Sequence, residues 1–342
     1  MVRCFFSVAV ILFCISCSHT ALKFEKTSYD TFRTTGGDSF VRLSDGWTNY
    51  ELSGDSSSEH TVVLIHGGTI PLCIWEAQLD TLRQAGFRVL RYDQYGRGFS
   101  DRPDKVYSRD LFLRQLKELL DSLNIRTPVH LIGPSFGGAI SVSFAAQYPE
   151  RVRSIILVSP ALNLLKSDSP LAGYIKVLRT PVLGKTLYKL LVRKKLIARG
   201  RGLVPGGLNS PCDSVFQRQF TCSGTEHSLF SMFKSDAYGD YRDLTRKAGA
   251  SIEHILLVRG KADADVTESM IRGLDPASVG LSTVATRYLF PTAFNATLTC
   301  GSRSGPRRSN SASSLTFSRS EEGRICLAFA SSLYSMNWGV TR

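Results

Sequence analysis

Histidine is scarce in this sequence, and the last part of the chain has none. The 342 residues include only six histidines, of which His254 is the last. Residues 276–342 also lack lysine and aspartate, although they contain thirteen serines. The tract GSRSGPRRSNSASS in this segment resembles a disordered region. No chemistry that needs a histidine can therefore be placed after residue 254.

Cysteine spacings typical of metal sites are also missing. None of the five cysteines outside the N-terminal residues 1–21 falls in a pair with the spacing of a zinc site, and the sequence implies no metal or other cofactor. Cys212 and Cys222 lie ten residues apart and are the candidates for a disulfide in an oxidising compartment. We expect Cys73, Cys300 and Cys326 to be lone thiols rather than metal ligands.

Acidic residues are absent from residues 185–201, KTLYKLLVRKKLIARGR, which carry seven lysines or arginines and account for much of the net charge of +13. Apolar residues interleave with these charges, so the segment could lie on a membrane or form a solvated helix with an apolar underside. We favour the second interpretation. Because no nucleic-acid motif accompanies the charge, no nucleic acid partner is expected. The interleaved residues are Leu187, Leu190, Leu191, Leu196 and Ile197.

The N-terminus has the pattern of an export signal. MVR is followed closely by FFSVAVILFCIS, an apolar stretch too short to span a bilayer comfortably, and residues 1–21 are the predicted signal peptide. Ile15-Ser16-Cys17 resembles the end of a bacterial lipoprotein signal, in which Cys17 would receive lipid. Simple cleavage after the region 16–21 is the alternative. We expect an exported protein, either secreted, periplasmic or membrane-anchored, with residues 22–38 as a polar tether.

A glycine-rich turn predicts an exposed, strained serine. Residues 129–132 favour a strand, whereas apolar residues recur at helical spacing from Ala139 onward. Ser135 therefore lies on a strand-to-helix turn, with Gly133 and Gly137 two positions away on either side. Glycine allows the two backbones to approach closely, and this is the arrangement of a nucleophile elbow.

Strand and helix patterns alternate around this turn, which predicts a mostly parallel sheet covered by helices on both faces, an α/β fold. Residues 161–249 interrupt the alternation with proline, glycine and basic helical segments, and HILLVRG at 254–260 restores it. We expect the interruption to be a helical cap over the carboxyl edge of the sheet.

Three motifs together resemble the α/β-hydrolase superfamily. They are LIHGG at 64–68, RYDQYGRGFSDRP at 91–103 and GPSFGG at 133–138, and the resemblance covers residues 40 to about 275. It implies an α/β-hydrolase domain at 39–275. Serine at the elbow is unlike the haloalkane dehalogenases and epoxide hydrolases, which use a carboxylate nucleophile. The sequence is closer to the serine branch, which includes esterases and lipases.

The resemblance also implies roles for individual residues. Ser135 would be the nucleophile, and the backbone N–H groups of Gly68 and Phe136 would form the oxyanion hole. His66 would support the oxyanion loop rather than act as the base. Asp93 and Arg97 would organise the neighbouring loop, with catalysis by Asp93 as a minor alternative.

The catalytic acid has a candidate, but the catalytic histidine is unknown. Asp263 follows a strand in the family's Gly-x-x-Asp pattern, and Asp265 is the alternative. The family's base lies beyond the acid, where this sequence has no histidine. Either residues 276–342 are a divergent tail with a damaged or missing last strand, or they are encoded out of frame. A shifted frame near codon 297 permits His-x-His-Leu-Trp-Glu.

Two functions remain after the sequence is considered. The first is a serine hydrolase that cleaves a carboxylic ester or a similar small apolar acyl substrate. The second is a non-catalytic binding protein that keeps the pocket and has lost the base.

Overall fold

The computed structural model describes residues 39–164, 170–180, 183–260, 280–284, 315–319 and 325–329. The predicted signal and tether, Cys17, Asp263 and the serine-rich tract at 301–314 lie outside these residues.

Eight strands form one sheet in the order β1-β2-β4-β3-β5-β6-β7-β8. Strands β3 to β8 run parallel, whereas β1 pairs antiparallel with β2 and β2 pairs antiparallel with β4. The mostly parallel sheet predicted from the alternating pattern is confirmed. The strands are β1 Ser39–Leu43, β2 Gly46–Gly54, β3 Thr61–Ile65, β4 Arg88–Tyr92, β5 Val129–Ser135, β6 Val152–Pro160, β7 Ile255–Gly260 and β8 Gly280–Val284.

Helices cover the sheet and also form a long insertion between β6 and β7. Three helices alternate with the early strands: α1 Glu76–Gln84, α2 Arg109–Ser122 and α3 Phe136–Gln147. Helices α4 Pro170–Leu178, α5 Leu183–Leu187, α6 Arg193–Arg201, α7 Pro211–Gln219, α8 Thr225–Lys234 and α9 Arg242–Ser251 follow β6. A π-helical turn, Tyr188–Val192, joins α5 to α6. We refer to residues 161–249 as the helical insertion.

The sheet is apolar on both faces, as a sheet with helices on each side requires. Strand β3 shows the alternation: Val62 and Leu64 pack in one core cluster with α1, whereas Val63 and Ile65 pack in another with α2 and α3. All four side chains are fully buried. Burial on both faces explains why this strand reads as a continuous apolar run.

The prediction of a damaged or missing last strand is wrong. Residues Gly280–Val284 form β8, which pairs parallel with β7 from Leu256 to Gly260. The prediction relied on the serine-rich composition of residues 276–342 as a whole, and a five-residue strand is too short to change that composition. Further along, β9 Leu315–Arg319 and β10 Ile325–Phe329 pair as an antiparallel two-stranded sheet.

The expected pairing of cysteines is also wrong. Cys73 forms a disulfide with Cys212, and Cys222 is a free thiol. Cys73 precedes α1 and Cys212 lies in α7, so the bond ties the helical insertion to the body of the domain. The two cysteines are 139 positions apart in sequence, and only the folded chain brings them together. Spacing therefore could not reveal the pair.

The basic segment, residues 185–201, agrees only in part with our prediction of a solvated helix with an apolar underside. Leu196 and Ile197 are partly buried and pack against the core clusters, as that interpretation requires. Leu190 and Leu191, however, are 68% and 51% exposed. The segment therefore presents apolar side chains to solvent beside its positive charges.

Candidate active site

Ser135 lies at the turn between β5 and α3, where the sequence predicts a strand-to-helix elbow. Its backbone has φ 47° and ψ −118°, in a region that residues other than glycine rarely adopt. The two neighbouring glycines explain how the turn closes. A Cβ at Gly133 would overlap the backbone of Gly137, and a Cβ at Gly137 would overlap the carbonyl oxygen of Ile65. The elbow is thus packed tightly against the end of β3.

The loop after β3 lies beside the serine. A Cβ built on Gly67 would be 3.7 Å from Ser135 Cβ, and one built on Gly68 would be 3.7 Å from Phe136 Cβ. The Gly67 carbonyl is held by His66 Nδ1 at 2.6 Å. In a trans peptide the C=O and the following N–H point in opposite directions, so the Gly68 N–H points away from His66.

Two backbone N–H groups at this place have no acceptor among the described residues. One is the N–H of Gly68, and the other is the N–H of Phe136, the first residue of α3. The first N–H groups of a helix lack intrahelical partners, and the helix dipole makes that end favourable for negative charge. The two residues proposed for the oxyanion hole are therefore neighbours, and neither N–H is bonded to another described residue.

His66 is fully buried, and both of its ring nitrogens are occupied. Nε2 accepts a hydrogen bond from the Gln94 backbone N–H at 2.9 Å, so Nδ1 carries the proton and donates to Gly67. Burial lowers the pKa of His66 from 6.5 to about 4. The ring is thus neutral, and no lone pair remains to take a proton from Ser135. This geometry fits the supporting role that the sequence assigned to it.

Asp93 and Arg97 hold the loop that follows β4. The buried Asp93 carboxylate accepts hydrogen bonds from the Asn49 side chain and from the backbone N–H groups of Leu72 and Phe99, all within 2.9 Å. Arg97 Nε donates to the Gly68 carbonyl at 2.6 Å. Both side chains therefore hold the loops that lie next to the N–H groups of Gly68 and Phe136.

Arg97 is unusual because it is buried without a carboxylate partner in the described part of the chain. Its guanidinium donates to Ser228 Oγ at 2.7 Å and approaches the sulfur of Met232, both in α8. Burial lowers its pKa to about 10, which leaves it protonated at neutral pH. One buried cation thus connects the loop after β3 to the helical insertion.

The insertion supplies further contacts that the sequence did not reveal. The Tyr238 hydroxyl lies against Gly68, and its ring packs on Phe136 with centroids 5.4 Å apart. Gln219 Nε2 donates to the Thr69 carbonyl at 2.9 Å. These residues lie far from the motifs in sequence, in a region without a recognisable pattern, so no local signal marked them.

No histidine of the described residues hydrogen-bonds Ser135. His60 and His130 are buried near the start of their strands, His130 bonding Ser154 at 2.8 Å. His227, on the helical insertion, faces the carbonyl of Lys105. His254 precedes β7. Asp263, the candidate acid, lies outside the described residues, three positions after the end of β7. The structure thus brings together Ser135, Gly68 and Phe136, and it leaves the base unassigned.

Neither metal sites nor membrane spans are found in the described segments. No three histidine, cysteine or acidic side chains there come close enough to bind a metal ion. None of the helices described is both long and apolar enough to cross a bilayer.

The sheet order, the elbow and the flanking helices define the fold class of the protein. Residues 60–187 match the model of the alpha/beta hydrolase fold family, and the described domain has that fold. These findings establish the α/β-hydrolase fold of the described domain.

Relatives with known activities match a limited stretch. A proline iminopeptidase of Lactobacillus helveticus is 35% identical over 117 residues, which are 33% of this chain and 40% of the relative. A 2-hydroxy-6-oxononadienedioate/2-hydroxy-6-oxononatrienedioate hydrolase of Escherichia coli is 40% identical over 117 residues, which are again 33% of this chain and 40% of the relative. The match spans less than half the length of these curated relatives. They are all hydrolases.

Solved structures resemble a larger part of the chain. A hydrolase from Pseudomonas aeruginosa has a TM-score of 0.58 at 25% identity, covering 73% of this chain and 91% of that one. A haloalkane dehalogenase from Bradyrhizobium elkani has a TM-score of 0.59 at 19% identity, covering 72% and 88%. At that identity the second likeness concerns the fold alone.

Proposed function

We propose that the protein is a serine hydrolase that cleaves a carboxylic ester or a similar acyl bond. One observation carries the proposal: Ser135 is held in a strained backbone conformation beside two N–H groups, those of Gly68 and Phe136, that have no acceptor in the part of the chain that the structure describes. An elbow serine of this kind exposes its hydroxyl next to the position that a substrate carbonyl oxygen would take. The hydrolase relatives support the reaction class.

The chemistry follows from this geometry. Ser135 Oγ attacks the acyl carbon, an Oγ–C bond forms, and the electron pair of the C=O bond moves to oxygen. The two N–H groups bind that oxyanion, a contribution of about 3 to 4 kcal/mol for one donor in a comparable enzyme. The oxyanion then re-forms the C=O bond, the bond from the acyl carbon to the leaving group breaks, and the leaving group takes the proton that Ser135 lost. Water next adds to the acyl carbon, which releases the carboxylic acid and returns a proton to Ser135 Oγ. Asp263 would orient the base, which is not yet assigned to a residue.

The apolar wall beside the serine favours small apolar acyl groups. The rings of Phe136 and Tyr238 pack together, and Tyr238 stacks on Phe233 with centroids 5.4 Å apart. We interpret the helical insertion as a cap because Tyr238 and Arg97 connect it to the oxyanion loop. Each buried CH₂ of an acyl chain would contribute about 0.8 kcal/mol to binding.

Covalent labelling tests the proposal. A fluorophosphonate should modify the folded protein at Ser135, and Ser135→Ala should abolish the labelling. Ser159 provides a matched control, since it is the other described serine with a positive φ, of 42°. Ser159→Ala should keep the labelling if it folds. Labelling that survives Ser135→Ala would show that another residue is the nucleophile.

The second candidate is a non-catalytic binding protein. It is favoured by the lack of a hydrogen bond between Ser135 and any histidine of the described residues. An elbow serine without its base would lose roughly six orders of magnitude in rate. A folded protein that is not labelled, yet binds apolar esters, would support this function.

The proposed location is outside the cytoplasm, with Cys17 as the lipid acceptor. A Cys17→Ala chain should then leave the membrane fraction of the producing cell. Unchanged partition with a signal cleaved elsewhere would contradict the anchor.

A further inference from the structure

A groove of about 670 Å³ lies on the helical insertion, between the α5–π-helical segment and α8. Tyr188 and Phe230 contribute its aromatic lining, with ring centroids 5.7 Å apart. Three lysines line it as well, Lys185, Lys189 and Lys234. We call this the basic groove. It does not contain Ser135 or the oxyanion donors.

The three lysines leave the groove with unbalanced positive charge. None of them forms an ion pair with another described residue, and Lys234 lies 5.7 Å from the centre of the Phe230 ring. The one carboxylate in the lining, Glu226, is paired with Arg193. His227 is directed to the Lys105 carbonyl and lies 3.9 Å from Asp104.

Exposed apolar side chains lie beside these charges. Val106 lines the groove and is 66% exposed, and Leu190 and Leu191 follow Lys189 directly in the chain. Residues 185–201 contain no acid, so the positive charge continues along the chain from the groove. Large aliphatic side chains in water, together with lysines that pair with no described acid, indicate a surface that meets both anions and hydrocarbon.

We propose that the basic groove and the adjoining Leu190 and Leu191 dock on a bilayer rich in anionic phospholipid. The lysines would bind headgroup phosphates, and the leucines would enter the acyl boundary of the membrane. A polyanion such as nucleic acid, or an acidic peptide, would satisfy the lysines but would leave the leucines without an apolar partner. The proposal does not depend on catalysis by Ser135.

Vesicle co-sedimentation tests the charge requirement. The full chain should bind vesicles with about a third phosphatidylglycerol in phosphatidylcholine far better than phosphatidylcholine alone, and binding should fall with added salt. Reversing one lysine with Lys189→Glu should weaken binding at least about fivefold, the effect expected for one lysine near an anionic surface. Lys247→Glu, an exposed lysine on α9, changes the net charge equally and should have little effect.

A second pair of variants tests the apolar requirement. Leu190→Ser should weaken binding to the acidic vesicles. Leu208→Ser removes a leucine of similar exposure, 62% against 68%, outside the groove and should leave binding unchanged. Thermal unfolding of each variant shows whether it is folded.

The outcomes separate this proposal from its rivals. Equal losses for Lys189→Glu and Lys247→Glu, or for Leu190→Ser and Leu208→Ser, would overturn it. Preference for a short RNA over acidic vesicles would assign the groove to another partner and would also overturn it. Ser135→Ala should bind vesicles as the parent chain does. Vesicle binding and fluorophosphonate labelling therefore test the docking proposal and the hydrolase proposal separately. Performing the comparison in a Cys17→Ala background removes any contribution from an attached lipid.

Discussion

Gly137 shows how a single hydrogen atom in place of a side chain can determine the position of the candidate nucleophile. A Cβ there would overlap the Ile65 carbonyl oxygen, a backbone atom that cannot move without shifting β3. We predict that Gly137→Ala lowers the free energy of unfolding by about 3 kcal/mol or more. Denaturation with urea measures this value.

Gly173 in α4 is the matched control, because a Cβ there would meet no atom of the described residues within 4 Å. Gly173→Ala should stabilise the protein by about 0.5 to 1 kcal/mol through reduced backbone freedom in the unfolded chain. Equal effects of the two substitutions would show that the close packing of α3 on β3 does not control stability.

His66 makes stability depend on pH. Its folded pKa of about 4 lies below its ordinary value of 6.5, so the unfolded state binds more protons between these values. Stability is therefore complete above pH 6.5 and is lost as the pH falls towards 4. We predict a loss of about 2 kcal/mol from this residue between pH 7.5 and 5.

Urea denaturation of His66→Gln at both pH values checks the prediction, since glutamine does not titrate there. The variant should be less stable at neutral pH but should lose less stability on acidification. His227→Gln, at an exposed site on the insertion, should keep the dependence of the parent chain. An identical acid response in His66→Gln would assign that response to other groups.

At the scale of the elements, the segment between β3 and α1 is connected to the helical insertion by three different interactions. These are the disulfide Cys73–Cys212, the hydrogen bond from Gln219 to Thr69, and the bonds of Arg97 to Gly68 and Ser228. We predict that Cys73→Ser with Cys212→Ser costs about 2 to 4 kcal/mol of stability. Urea denaturation under non-reducing conditions measures the loss.

Cys222→Ser is the control for that experiment, because Cys222 is a free thiol. Its stability should match that of the parent chain. If instead Cys222→Ser destabilises the protein and Cys73→Ser alone does not, the disulfide joins Cys212 to Cys222, as the sequence spacing suggested.

The elements differ in how far the sequence could predict them. Strand β5, the turn at Ser135 and α3 follow from a local pattern of apolar residues and glycines, and the structure has them where the sequence indicates. The contacts of Tyr238 with Gly68 and of Cys73 with Cys212 depend on how a long insertion folds back on the domain. No periodicity encodes such contacts, so they could not be predicted.

At the scale of the whole molecule, the absence of histidine after residue 254 still requires an explanation. We predict that the base is encoded in another reading frame. The nucleotide sequence of codons 270–342 checks this prediction. A shifted frame that contains stop codons, or that has no histidine near codon 297, would contradict it and favour the binding protein.

The disulfide between Cys73 and Cys212 also makes much of the domain a covalent ring. The ring includes β4, β5 and β6, and so it contains Ser135 and the whole elbow. A protease that cuts one exposed loop within the ring therefore leaves a single molecule, whose two pieces separate only after reduction. The two pieces that carry the candidate active site would in this way stay joined after a single cleavage, wherever outside the cytoplasm the predicted N-terminal signal directs the protein.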